Sequence, residues 1–161
     1  MRDTQENILT NPGVMALVSG RDRDVVHSVK IQADRERVFY ALSIPEYIET
    51  WLRSPNEDEL RFVFHSVTEE TFRIDLYRAN TVQTRIQGFC SVLNLNQIQY
   101  AWKITSLVTK TSTVVDMRLL TGPGGCTLGL KHSGFREAAE SGWYGQVWRR
   151  SLDTLCRLME K

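Results

Sequence analysis

The chain has 161 residues, with 20 Lys and Arg against 19 Asp and Glu, for a formal net charge of +1. One domain is the natural expectation at that length, enough to bury roughly 70% of the surface its unfolded chain exposes. The balanced charge and scattered arginines argue against nucleic acid as a primary partner, and no apolar run approaches the length that spans a bilayer.

Residues 1–20 read as an N-terminal extension and 21–161 as the domain. Arg2, Asp3 and Glu6 precede only a broken apolar stretch, so no secretory signal is visible. Asn11-Pro12-Gly13 and Ser19-Gly20 are turn signals, and the run from Val14 to Val18 between them is too short to fold alone. Cys90, Cys126 and Cys156 have no paired spacing. An odd number without a signal reads as reduced, mostly buried and cytoplasmic.

After a charged hinge at Arg21 to Asp24, Val25 to Ile31 alternates as a strand, with Val25, His27, Val29 and Ile31 on one face. Asp34 stands where a helix N-cap belongs, before a short helix whose apolar side is Val38, Phe39, Ala41 and Leu42. Pro45 suits the first turn of a second short helix that runs to Leu52. The polar stretch Ser54 to Glu59 breaks the pattern. From there the period is two: strands are expected from Leu60, Thr71, Val82, Ile98, Val114 and Thr127. Turns fall at Ala79-Asn80, Asn94-Leu95-Asn96 and Gly122-Pro123-Gly124-Gly125. Short connections imply an antiparallel meander. The last glycine turn is a hairpin and not a phosphate loop, because no Gly-Lys-Ser/Thr follows it and no helix begins there.

The C-terminal helix, from roughly Glu137 to Glu160, organises the chain. Tyr144, Trp148, Leu152, Leu155 and Met159 form one apolar stripe, and Gln146, Arg149, Arg150, Asp153, Arg157 and Glu160 gather opposite. Such a helix lies on one face of a sheet. The expected fold class is α+β: a curved antiparallel sheet of about seven strands around the long helix, with two short helices after the first strand. A sheet curved enough to grip a helix leaves room for a cavity at one end.

Several pieces together resemble a known family. They are Ala33 to Leu42, Ile44 to Leu52, Tyr100-Ala101-Trp102, Leu128 to Phe135, and Ser141-Gly142-Trp143. In this order and spacing they resemble the START-like (SRPBCC) superfamily, and within it the branch named after the activator of the heat-shock-protein-90 ATPase. The resemblance runs from about Val25 to Lys161 and implies the helix-grip fold with a hydrophobic cavity between sheet and final helix. The chain departs from the pattern at Glu69-Glu70-Thr71, where members often carry a glycine pair. The dedicated chaperone activators have a further N-terminal domain without counterpart in this sequence, and the chaperone role is not expected of this chain in isolation.

Inward parity places Tyr100, Trp102, Met117, Leu130, His132, Tyr144, Val147 and Trp148 around one region, as candidate cavity-lining residues. His132 could orient a polar ligand group or act as a base; the plainer reading is a histidine hydrogen-bonded near the start of the helix loop. Trp143, at the margin of the apolar face, reads as pinning the preceding loop. No catalytic residue, metal site or cofactor is expected, since neither Cys-x-x-Cys nor His-x-x-x-His occurs and no cysteine has a catalytic context. The expected function is binding of a small hydrophobic or amphipathic ligand. A polyketide cyclase/aromatase-like enzyme and a chaperone-modulating interaction module stand as alternatives, with chaperone contact and a homodimer as further partner readings. An enclosed apolar void would favour binding, converging polar groups catalysis, and a filled core interaction.

Overall fold

The structure, a computed structural model, describes residues 23–66, 71–107 and 109–160, the side chain of Ser66 excepted. The N-terminal extension and the departure at Glu69-Glu70 lie outside the described residues. Seven strands form one antiparallel sheet: β1 (Val25–Ile31), β2 (Leu60–Ser66), β3 (Thr71–Arg78), β4 (Thr81–Asn94), β5 (Gln97–Ser106), β6 (Lys110–Gly122) and β7 (Gly125–Ser133). Their spatial order is β1-β7-β6-β5-β4-β3-β2. The six strands after the first make an uninterrupted meander, and β1 closes on β7. Two short helices, α1 (Arg35–Ser43) and α2 (Pro45–Trp51), follow β1, and α3 (Ala138–Met159) lies across the concave face.

Period-two burial sets which side chains meet α3. On β5 the inward set is Ile98, Tyr100, Trp102 and Ile104; on β7 it is Cys126, Leu128, Leu130 and His132. β6 begins four residues earlier than the expected Val114, at Lys110. Its extra inward residues are Thr111 and Thr113, buried hydroxyls that keep the parity without an apolar signature. α3 buries Tyr144, Val147, Trp148, Leu152 and Leu155, while the six polar residues of the opposite arc are exposed. Arg157 reaches Asp153 at 3.2 Å, and Arg150 turns back to Glu57 at 3.0 Å and the Pro55 carbonyl at 3.2 Å.

The short helices are fastened through their carbonyl ends. The Tyr100 hydroxyl donates to the carbonyls of Leu42 (3.1 Å) and Ser43 (3.3 Å), and the Trp51 indole N–H donates to Ala41 (2.7 Å). These are last-turn carbonyls of α1 without partners inside the helix. Behind α2, the Arg53 N–H donates to the Ser151 hydroxyl at 2.8 Å, tying the connection to α3. Asp34 takes the N-cap position of α1 but its side chain makes no cap bond, and Pro45 opens α2 as expected.

Three of the turns follow from local chemistry. Gly122 pairs with Gly125 across Pro123-Gly124, and Gly124 has φ of 77°, as a type II turn with Pro then Gly requires. The Asn94 carboxamide oxygen accepts from the backbone N–H of Asn96 (2.9 Å) and Gln97 (3.0 Å), bending β4 into β5. Gly134, at φ of 104°, redirects the chain from β7 toward α3. A Cβ there would stand 2.8 Å from the Ser112 carbonyl oxygen.

Gly88 has a different task. It sits in register between Phe72 and Trp102 on the inner face, and the Phe72 ring lies directly over it. A Cβ at this position would overlap the Cζ end of that ring. Gly88→Ala is expected to cost about 1–3 kcal/mol, the usual penalty for overpacking a filled core. Urea melts of Gly88→Ala, Phe72→Leu and the double variant check this: the second substitution should recover part of the loss, whereas purely additive costs would mean that the ring is not what Gly88 accommodates.

Candidate functional site

All eight candidate residues are buried, and α3 brings its three against the five on β5, β6 and β7. Trp102 and Trp148 face each other with ring centroids 5.3 Å apart, and Phe72 meets Trp102 edge-on at 6.3 Å. Tyr144 stacks on Phe135 at 5.4 Å, and Phe135 lies 4.5 Å from the His132 ring. Trp143 makes an edge-on contact with Phe62 of β2 at 6.2 Å, so it pins the far edge of the sheet rather than the preceding loop.

His132 has no exposed surface and both its nitrogens are engaged. The Trp148 indole N–H donates to Nδ1 at 2.9 Å, and Nε2 lies 2.8 Å from the Thr113 hydroxyl. An indole N–H can only donate, so Nδ1 must be the bare nitrogen and Nε2 carries the hydrogen. Nε2 then donates to Thr113, whose own hydroxyl donates to the Trp102 carbonyl at 3.0 Å. The bonds run in one direction, from α3 through β7 and β6 to β5. Burial lowers the pKa of His132 to about 3, because a charged imidazolium here would be stripped of water. The ring is therefore a neutral structural link, and its nitrogens are not available to a substrate.

The small recess in this interior lies toward α1 and α2. Its walls are Leu42, Ile48, Trp51, Leu52, Phe72, Tyr100, Trp102, Val115, Met117 and Trp148. Four of the sequence candidates thus reach it (Tyr100, Trp102, Met117, Trp148), while Leu130, His132, Tyr144 and Val147 pack elsewhere around the aromatic cluster. Leu42 was legible as an inward helix residue. Trp51, Ile48 and Leu52 were not, since nothing local says how α2 docks. The free volume is about 10 Å³, about enough for one water molecule. The interior is therefore nearly filled.

One buried polar atom among the lining side chains is left over. The Trp102 indole N–H, on a side chain 2% exposed, has no hydrogen-bond partner. The Tyr100 hydroxyl and the Trp51 indole N–H, on two other side chains that line the recess, are spent on α1 carbonyls. Desolvation by burial raises the Tyr100 pKa, which keeps that hydroxyl a donor. His27, elsewhere on β1, reaches the Gly145 carbonyl through Nε2 at 3.3 Å and has a pKa lowered chiefly by burial. Among the described residues no three His, Cys, Asp or Glu converge as metal ligands, and no helix is long and apolar enough to cross a membrane.

The His132 link makes stability depend on acid. Its folded pKa lies below the ordinary 6.5, so the unfolded chain takes up a proton that the folded chain refuses. Its stabilising contribution is complete above pH 6.5 and shrinks as pH falls toward about 3, by about 2 kcal/mol at pH 5. In denaturant melts the stability gap between the parent chain and His132→Asn should narrow by that order between about pH 7 and pH 5. A constant gap would mean that His132 titrates normally in the folded state.

Residues 32–160 match the family described as Activator of Hsp90 ATPase homolog 1-like protein. No curated protein matches the chain. Among solved structures, protein CV1439 from Chromobacterium violaceum superposes with a TM-score of 0.72 at 16% identity, over 87% of this chain and 99% of that one. The Aha1 dimer from Colwellia psychrerythraea gives 0.61 at 14% identity, over 85% and 96%. DynU16, from the dynemicin biosynthetic locus, gives 0.63 at 16% identity over 87% of this chain and 48% of its own. At these identities the likeness is one of fold. The family match covers most of the domain, and the chain belongs to the Activator of Hsp90 ATPase homolog 1-like family, within the START-like superfamily.

Proposed function

We propose that this protein binds a small, largely apolar molecule carrying one hydrogen-bond acceptor, with the acceptor received by the Trp102 indole N–H. The observation that carries this reading is the unpaired, buried N–H of Trp102, a side chain whose apolar atoms line the recess. An unmet buried donor costs about 1–3 kcal/mol. A core built for packing alone would be at least as stable with phenylalanine there. A buried water needs two to four polar partners, and Trp102 offers it one. A ketone, ester or ether oxygen on an apolar body needs only one.

Because the recess is so small, binding on this reading requires α1 and α2 to move outward from Trp102 and Trp148. The bonds that resist the movement are those of the Tyr100 hydroxyl to the Leu42 and Ser43 carbonyls, of Arg35 to Asn96, and of the Arg53 N–H to Ser151. The Trp51–Ala41 bond joins the two helices and moves with them. The aromatic cluster around His132 stays closed and forms the floor. Fold neighbours such as DynU16, from a biosynthetic locus, are consistent with small-molecule work but name no ligand for this chain. His132, with both nitrogens occupied, does not support the cyclase alternative. The near-complete filling of the interior favours an interaction module as the second reading.

Isosteric probe pairs separate the two readings. Acetophenone and 2-acetylnaphthalene each have a hydrocarbon partner in which C=CH2 replaces C=O. In NMR titrations the ketone of a pair should bind about tenfold more tightly than its partner, the value of one hydrogen bond, and should move the Trp102 indole resonance. Trp102→Phe should erase the preference while leaving hydrocarbon affinity nearly unchanged. If neither pair binds at millimolar concentration, the interaction module becomes the better account.

A further inference from the structure

The convex face carries a second built feature, unrelated to the aromatic interior. Asp75 points outward from β3, opposite in parity to Phe72, Ile74 and Leu76, yet is only 2% exposed. Arg85 of β4 lies across it, with Nε 2.9 Å from Oδ1 and an Nη2 contact at 3.5 Å to Oδ2. Arg73 Nη2 (3.6 Å) and His65 Nε2 (3.5 Å) also approach Oδ2. The His65 contact lacks hydrogen-bond geometry, as does Arg73 at its Nε. Two guanidinium charges therefore surround one carboxylate.

A β-bulge sits beside this cluster. Tyr77 pairs with Val82 and Leu76 with Thr84, leaving Gln83 as the extra residue of β4. Next to it, between β4 and the β5–β6 connection, is an open recess of about 360 Å³. Its polar lining includes Gln83, Arg85, Gln87, Thr105, Ser106 and Lys110, and no Asp or Glu contributes to it. Asp75 takes two of the five N–H donors of Arg85 and fixes the guanidinium in place. Arg73 offsets the charge of Asp75, so Arg85 and Lys110 present positive charge to the recess. The Gln83 and Gln87 amides and the Thr105 hydroxyl supply further hydrogen-bond donors.

We propose that this recess binds the phosphate group of a phosphomonoester. Two cations and a ring of neutral donors suit a tetrahedral dianion with many acceptor positions better than a single carboxylate. The volume is within the range of small-molecule sites. The phosphate has two sources to distinguish, a soluble metabolite or a lipid headgroup. Leu107, 77% exposed on the same rim, is placed to enter a lipid surface if the source is a membrane.

The test titrates the whole chain with glycerol 3-phosphate by calorimetry, and in parallel with vesicles of phosphatidylcholine with and without phosphatidic acid. Lys110→Glu, exposed and clear of Asp75, should weaken whichever phosphate binds by about tenfold or more, one charge-assisted hydrogen bond. Arg37→Glu, the same charge change on the exposed face of α1, should leave it unaltered. A site for a soluble metabolite binds glycerol 3-phosphate directly. A headgroup site binds only the phosphatidic acid vesicles, and Leu107→Ser then weakens it. The proposal is overturned if neither probe binds, or if both charge variants weaken binding equally, which would be general attraction rather than a site.

Discussion

The structure depends most on one directional run of hydrogen bonds: Trp148 to His132, His132 to Thr113, and Thr113 to the Trp102 carbonyl. It crosses from the helix to three adjacent strands inside an otherwise apolar interior. Each donor has one acceptor, so no tautomer or rotamer alternative keeps all three bonds. In low dielectric such a network is worth most when complete and costs most when one member is lost. Protonating His132 would put two donors face to face at Nδ1, and burial already opposes the charge. The helix position along the sheet is thus tied to a neutral imidazole.

Around that run the aromatic rings fill the space a curled sheet leaves under a helix. Phe135 and Tyr144 close one end, and Trp51, Phe72 and Tyr100 line the other. The two ends differ in their polar accounting. The His132 ring nitrogens are both matched, whereas the Trp102 indole N–H is not. The short helices are also held to the body by fewer hydrogen bonds than α3, chiefly those from Tyr100 to α1 carbonyls, from Arg35 to Asn96 and the Ser151 link.

Most of the fold was legible because side-chain periodicity and turn chemistry are local. The stripe from Tyr144 to Leu155, the Pro123-Gly124 hairpin and the Pro45 helix start could each be read within a short window. Three things could not. Thr111 and Thr113 are inward without being apolar, so β6 looked shorter than it is and the partner of His132 stayed hidden. On the outer face, a regular hairpin from the Arg78–Thr81 pair would set Asp75 opposite Thr84. The bulge at Gln83 brings Arg85 there instead. The pairing of buried Asp75 with Arg85 is a product of one inserted residue, which no alternation pattern reveals. Likewise the docking of α2, which supplies Trp51 to the recess, rests on contacts far apart in the chain.

The most direct test of the central link is 15N NMR of the His132 ring. The hydrogen-bond run predicts a neutral imidazole with bare Nδ1 and protonated Nε2, unchanged from about pH 7 to pH 5 while the chain stays folded. The opposite tautomer, or a ring that takes up a proton with an ordinary histidine midpoint in the folded protein, would contradict it.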